Sequence, residues 1–503
     1  MKSGYRLLIG IVAAILLAGL WAGPAGAKDS VVISYRTPAS SLHPHAQRTN
    51  TEATVCNSLF DGLVDRDPDG KLVPSLAVSW EMTAPTLWRF NLRKGVKWQN
   101  GDDFTADDVA YTLKVGGNPI SRFQYITSKI KDVRIVDDHT IDVETINPWP
   151  LLPDSLYLSL FIMNKKYSEG KTEEELAQQP MGTGAYKLVE WIRESHVELE
   201  AFNGHWRGAP PIKHVTFKPI SNDSTRLAGL ISGQTDMTID VPVQFVERLV
   251  NAPDIEVVST GGPRVIFFSL RLDDPAYPAS KLKVRQAIMK GIHEQEIIDK
   301  LLNGKAVIAN QLPHPNYRGF NPDIQRPAYN VAEAKRLLAE AGYPDGLNLD
   351  LYVSNNRYIR DQDIGLAVAQ QLSLIGINVN LVARSYTIQF KEIRQKKLNF
   401  YMIGWEESTF DAARTLGTFL KSDATWGWSP RSEEFDRQLE AADQIADMAK
   451  RDRALQALNK IVADNVWIIP LHYQPNIYGL NKNLNFTPNV KKILTVRTMS
   501  WNQ

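Results

Sequence analysis

Leu347-Asn348-Leu349-Asp350-Leu351-Tyr352-Val353, together with the thirty residues after it, decides the fold class. Apolar and polar side chains alternate along it, as in a strand with one buried face. Ile364 to Leu374 then carries apolar residues at helical spacing, and Ile377 to Val382 alternates again. Strand, helix and strand in so short a span imply a parallel βαβ crossover, and with it an α/β domain.

Just upstream, Asn330 to Gly342 is a helix with both ends marked. Asn330 is placed to cap it, Glu333 follows three residues on as in a capping box, and Gly342 and Pro344 stop it. Downstream, Phe435, Leu439, Ala442, Ile445 and Ala446, then Leu455, Leu458, Ile461 and Val462, recur at helical spacing before a strand over Val466 to Leu471. In the N-terminal half, Val31 to Tyr35 reads as a buried strand and Trp88 to Arg93 as a strand followed by a turn over Gln99 to Asp102. Thr105, with Asp107 and Asp108 behind it, opens a helix that runs to about Val115.

A chain of 503 residues, 43% of them hydrophobic, can bury a core large enough for two or three domains. The 57 Lys and Arg nearly balance the 56 Asp and Glu, so the overall field favours neither nucleic acid nor an anionic membrane as partner. No repeat or low-complexity tract separates the domains, which are therefore tightly joined, as by strands that cross between them. Lys2 and Arg6, the apolar run Leu7 to Leu20 and Ala25-Gly26-Ala27 read as a cleavable export signal, with the mature chain starting near Lys28. A retained anchor is the rival, and the Ala-x-Ala site with Pro24 favours cleavage. No later segment has the apolar run of a transmembrane helix. No Cys lies beside the cleavage site to accept a lipid, and Cys56, the only cysteine, reads as a buried inert thiol.

Enzyme signatures are broken. His293-Glu294-Gln295-Glu296 begins like a zinc-protease helix, but Ile297 stands where the second His belongs. Gly182-Thr183-Gly184 runs into Tyr186 and Lys187 instead of completing a phosphate loop, and no Gly-x-Ser-x-Gly elbow occurs. His43 and His45, separated by Pro44 and lacking a third ligand, read as a surface loop rather than a metal site. No catalytic residue, metal or cofactor is therefore assigned. Trp405, Trp426 and Trp428 share a polar stretch with Glu406, Glu407, Ser408 and Asp411. Such a stretch suits a site that strips water from a polar ligand, and equally a packed core.

Several stretches together resemble the extracellular solute-binding family 5, the dipeptide-, oligopeptide-, glutathione- and nickel-binding proteins of ABC importers. They are Leu59 to Leu63, Pro74 to Trp80, Phe90 to Trp98 running on to Val109, Gly182 to Lys187, Asn203 to Trp206, Val284 to Ile288 and Ala339 to Pro344. The resemblance implies a periplasmic α/β protein of two lobes (type II, cluster C) with an inserted α/β domain. Lobe I would comprise residues 28–60, 181–268 and 475–503, the insert 61–180 and lobe II 269–474, with crossings near Phe268 and Pro475. It implies capture of a peptide or peptide-like molecule by a monomer, without chemical change, and delivery to a membrane permease with its ATPase. Nickel-chelate, opine and oligosaccharide carriers share the fold, and a periplasmic hydrolase or peptidase is the rival from another class.

Gly404-Trp405-Glu406-Glu407-Ser408 resembles the family stretch Gly-Trp-x-x-Asp, whose Asp anchors a peptide's amino group. Ser408 stands in its place, and a neutral hydroxyl lacks the charge a desolvated ammonium needs. Glu406, Glu407 and Asp411 are the candidate replacements. The resemblance further points to Thr49, Asn50, Thr51, Tyr125, Trp428, His472 and Gln474 as ligand contacts.

Overall fold

The computed structural model describes residues 28–502, so the expected export signal lies outside the described residues. The βαβ unit is present: strand Leu347–Ser354, helix Asp361–Ser373 and strand Ile377–Arg384, the strands parallel from Leu347↔Ile377 to Ser354↔Arg384. The helix buries Ile364, Val368 and Leu372 against Leu349, Leu351 and Val353 of the first strand. Gly346, at φ 87°, is required at its entrance, because a Cβ there would stand 2.1 Å from the Gly376 carbonyl oxygen.

This unit is one end of an eleven-stranded sheet. The order is Ile377–Arg384, Leu347–Ser354, Phe400–Glu406, Ile255–Leu270, Ile468–Asn481, Met237–Ile239, Ser30–Tyr35, His214–Pro219, His196–Ala201 and Tyr186–Ile192, with the short Val307–Ile308 paired beside Ile468–Asn481. The two long strands in the middle are antiparallel and belong to different cores at their two ends. Around Val258 and Tyr478 they meet a core of Val31, Ile33, Phe217 and Leu480. Beyond Gly261 they serve two further cores, one on each face of the sheet. Ile266, Phe268 and Leu270 point to the face shared with the βαβ unit, while Val265 and Phe267 point to the helices Ala412–Leu420, Glu433–Asp443 and Met448–Asp464. The ladder changes register where the cores change, between Gly261↔Pro475 and Val265↔Tyr473. Phe268 is fully buried within the second region.

A separate four-stranded antiparallel sheet, in the order Ala77–Ala84, Leu87–Leu92, Thr140–Thr145 and Ile130–Asp137, packs with helix Ala106–Val115 over Phe90, Trp98, Val109 and Ile141. Three of the stretches that carry the family resemblance, Leu59 to Leu63, Gly182 to Lys187 and Asn203 to Trp206, meet where this unit joins the first core. Asp61 accepts hydrogen bonds from Thr183 Oγ1 and Trp206 Nε1, both at 3.0 Å, and His205 Nε2 lies 3.6 Å away. Burial alone would raise the Asp61 pKa; these donors and the Arg207 charge outweigh it and hold the carboxyl below its ordinary value. Gly182 and Gly184 pass so close to the end of helix Asn50–Leu59 that a Cβ on Gly184 would stand 2.4 Å from the Leu59 carbonyl carbon.

Local expectations are refined in four places. Asn330 caps helix Val331–Glu340 through the Glu333 N–H at 2.9 Å, but Glu333 pairs with Arg336 instead of closing a capping box. Ile445 and Ala446 fall between two helices, where Asp447 caps the second by accepting from Ala449 and Lys450 N–H. The strand expected over Val466 to Leu471 begins at Ile468 and continues to Asn481. His43 and His45 are not on a surface loop: both are buried, with His45 Nε2 3.0 Å from the Phe161 carbonyl and His43 Nε2 2.7 Å from Glu173 Oε2. Cys56 is buried, and burial raises its thiol pKa, as expected of an inert thiol.

Candidate ligand-binding cleft

The sheet register builds the first wall of the site. Phe400–Glu406 runs antiparallel to Ile255–Leu270 with Arg264 directly opposite Glu406. Oppositely charged cross-strand neighbours attract, and Arg264 Nη2 lies 3.0 Å from Glu406 Oε2. Lys491, from the C-terminal segment, approaches the other carboxylate oxygen at 3.3 Å and donates to the Glu407 carbonyl at 2.7 Å. Desolvation would raise the Glu406 pKa, but the Lys491 and Arg264 charges prevail and hold it down to about 2.

Two cavities share this wall. One, of about 220 Å³, lies among Asn50, Tyr125, Ser159, Ser408, Thr409 and Lys491, and so draws on three of the cores. The other, of about 570 Å³, lies beside the register break of the long strands and is lined by Arg36, Arg264, Arg357, Tyr358, Asp240 and Gln474, among others. Asn50, Glu406 and Lys492 line both, so the two form one cleft. A larger concavity, about 920 Å³, lies on one unit alone, between helix Ala106–Val115 and strand Ile130–Asp137. Position between cores, not volume, favours the cleft, since closure of one core on another can desolvate a ligand there.

Of the residues singled out by sequence, Asn50, Tyr125, Glu406, Ser408 and Gln474 line the cleft. The others are placed elsewhere or already engaged. Thr49 caps helix Asn50–Leu59, accepting from the Glu52 N–H at 3.2 Å, and Thr51 is buried behind that helix's first turn. Glu407 folds back on its own loop, accepting from Ser408 and Thr409 N–H at 2.7 and 3.1 Å and from Thr415 Oγ1 at 3.2 Å. Asp411 is fully buried and receives Arg451 at 2.7 and 2.9 Å while capping helix Ala412–Leu420. His472 is buried 3.3 Å from Glu294.

The tryptophans pack core. Trp428 is buried, donates to the Leu398 carbonyl at 2.5 Å and has the Arg271 guanidinium 4.7 Å above its ring. Trp405 stands edge-on to Phe419 and Trp426 at 5.2 and 5.7 Å. Missed by sequence reasoning were Arg264, Arg357, Lys491 and Lys492, which reach the cleft from three distant segments. Their only local signal is the adjacent pair of basic residues Lys491-Lys492.

Among the described residues, Glu190, His196 and Glu198 form one group with metal-ligand spacing. It lies on a hairpin outside the cleft, with His196 already 2.9 Å from Glu190.

Residues 71–427 match the family described as bacterial extracellular solute-binding proteins, family 5. The chain belongs to that family, and its α/β architecture is the two-lobed one of family 5 binding proteins. It is 28% identical over 476 residues to the glutathione-binding protein GsiB of Pectobacterium atrosepticum, covering 91% of both chains. It resembles HbpA2 from Haemophilus parasuis with a TM-score of 0.86 at 23% identity, over 94% of this chain and 100% of that one. The periplasmic murein tripeptide binding protein MppA, in its unliganded open form, matches with a TM-score of 0.84 at 23% identity, over 95% and 99% of the two chains. GsiB and MppA are named as binding proteins, and among the described residues no helix is long and apolar enough to cross a membrane.

Proposed function

We infer that the protein is the periplasmic capture component of an ABC importer: it binds a peptide or peptide-like small molecule reversibly in the cleft, leaves it chemically unchanged, and delivers it to a permease with its ATPase. Residues 1–27 are the cleaved export signal in this reading, and the mature chain acts as a monomer. The observation that carries it is a cleft walled by separate cores in a chain of family 5. The glutathione and murein tripeptide in the names of its relatives support a peptide-like ligand.

Closure would bring lobe II, expected over residues 269–474 and carrying with it Val265 to Phe268, which pack in its cores, toward the rest of lobe I, residues 28–60, 181–264 and 475–503, and the insert, 61–180. Two strands crossing at a register break can act as a hinge, because a few backbone angles absorb the motion while both cores stay packed. We place that hinge at Gly261 to Arg264 with Gln474 and Pro475. Ligand binding shifts the population toward the closed state by as much as the ligand prefers it.

Isothermal titration of the purified protein against peptide, opine and glutathione-type libraries tests the reading. Saturable binding within one of these classes is expected. Binding of a sugar with none of these classes bound contradicts it.

A further inference from the structure

The charges that line the cleft are unevenly satisfied. Every carboxylate lining either cavity already has a cation of its own: Glu406 has Arg264 and Lys491, Asp240 has Lys492, and Asp223 has Arg226 at 2.7 Å. The cations are in surplus. Arg357 forms no ion pair among the described residues and lies 5.1 Å above the Tyr386 ring. Arg36 reaches only Asp223, at 4.0 Å, an acid that Arg226 already holds.

The same imbalance recurs at Ser408. Its hydroxyl lines the smaller cavity and accepts a hydrogen bond from Arg414 Nη1 at 2.9 Å. Arg414 is half exposed, and its single carboxylate contact, Glu407 at 3.5 Å, is long and shared with five other donors, the Ser408 hydroxyl at 3.3 Å among them. Burial and then the Arg414 charge lower the Lys129 pKa, against the opposing charge of Asp443. A ligand ammonium brought to Ser408 would meet like charge, and the nearest carboxylate, Glu407, is already filled by its own loop donors. An oxyanion would meet the ammonium of Lys491 in the cavity wall and the Ser408 hydroxyl, which leaves its 3.3 Å contact with Glu407 Oε1 to donate, with the Arg414 guanidinium behind that hydroxyl.

We propose that the Ser408 corner of the cleft, with Arg414 behind it, receives an oxyanion of the ligand, so that the protein selects peptide-like molecules whose amino end is acylated or replaced by an acid. This rests on the peptide-like reading above and sharpens it. A carboxylate and a phosphonate share the required chemistry. Because the cavity carboxylates are internally neutralised, such a ligand adds charge to a cleft with cations to spare and needs no counter-charge from solvent.

Four probes that differ only at the amino end separate the outcomes: N-succinyl-Ala-Ala, N-phosphonoacetyl-Ala-Ala, N-acetyl-Ala-Ala and β-alanyl-Ala-Ala. Titration calorimetry of the purified protein should rank one of the two acidic probes first and β-alanyl-Ala-Ala last, with roughly 10-fold or more in Kd between them. Which acid leads distinguishes carboxylate from phosphonate. Arg414→Gln should compress that spread to within about threefold, and Arg414→Lys should keep most of it. If Arg414→Gln fails to fold by thermal melting, the wild-type ranking decides alone. Tightest binding by β-alanyl-Ala-Ala, or an unchanged spread in folded Arg414→Gln, overturns the charge assignment while leaving peptide capture intact. No binding of any probe overturns both.

Discussion

Arg318 Nη2 lies 2.6 Å from Asp154 Oδ1, and this contact joins the region that holds the larger part of the sheet to the unit built on the separate four-stranded sheet. Arg66 shares the same oxygen at 2.6 Å, with both partners of that second pair almost wholly buried. One carboxylate therefore serves two guanidiniums, and the second negative charge nearby is Asp411, whose Oδ2 lies 3.9 Å from Arg318 Nε. Phe410 packs alongside, with the Arg66 guanidinium 3.9 Å above its ring and Tyr157 edge-on at 6.1 Å.

Removing the shared acid leaves the buried Arg66 without its counter-charge. Asp154→Ala is expected to cost about 3–5 kcal/mol, the range for breaking a buried pair by deleting one partner. Urea unfolding read by circular dichroism measures it. A loss under about 1 kcal/mol would mean that solvent or another acid compensates Arg66.

Two glycines should respond in opposite directions to the same change. Gly184→Ala drives a methyl carbon to 2.4 Å from the Leu59 carbonyl carbon, backbone that cannot swing aside, so the protein should melt well below wild type or fail to accumulate. Gly229→Ala sits inside helix Asp223–Ile231 with its nearest neighbour at 3.8 Å, an ordinary contact, and should stabilise by about 0.5–1 kcal/mol. Thermal melts of the two variants beside wild type check both signs.

Acid should weaken the fold through buried histidines. Burial, helped by neighbouring His43, pushes His45 down to about 3, and burial pushes His314 down to about 4. In the unfolded chain each takes up a proton near 6.5, so the unfolded state binds more protons between about pH 6.5 and 4, and stability falls as pH is lowered through that window. Each contributes up to about 1.4 kcal/mol per pH unit there. Denaturant midpoints at pH 7, 6 and 5 should fall in that order, and His45→Gln should flatten the decline. A midpoint that holds steady from pH 7 to 5 contradicts the assignment.

The βαβ unit was readable because its strands each expose one face, which writes an alternating pattern into Leu347 to Val353. Of the two crossing strands only the start of one, over Val466 to Leu471, was readable. Gly261-Gly262-Pro263 interrupts one and Pro470 and Pro475 the other, and such residues ordinarily end a strand. Here they sit at the irregularities themselves: the register shifts next to Gly261↔Pro475 and at Phe267↔Pro470. The feature that hides the strands from a pattern search is the one that breaks the register where the cores change.

The cleft was legible at Ser408, where a short motif has a hydroxyl in place of an acid. What replaces the acid could not be read, because the answer depends on pairings across great sequence distance. Glu406 is claimed by Arg264 and Lys491, and Asp411 by Arg451. Only the folded register shows that these carboxylates are already committed. The aromatic-rich stretch that suggested a ligand wall is mostly core, since Trp405 and Trp428 lie against Phe419 and Leu398 on the inner face of the sheet.

Capture without turnover can be checked by mass spectrometry of the small molecule released when natively purified protein is denatured. A single peptide-like species in near-stoichiometric amount is expected, identical in mass to the compound that rebinds the emptied protein and is recovered intact after prolonged incubation. A released sugar, or conversion of the rebound compound into fragments, would show that the protein is not a carrier of intact peptide-like molecules.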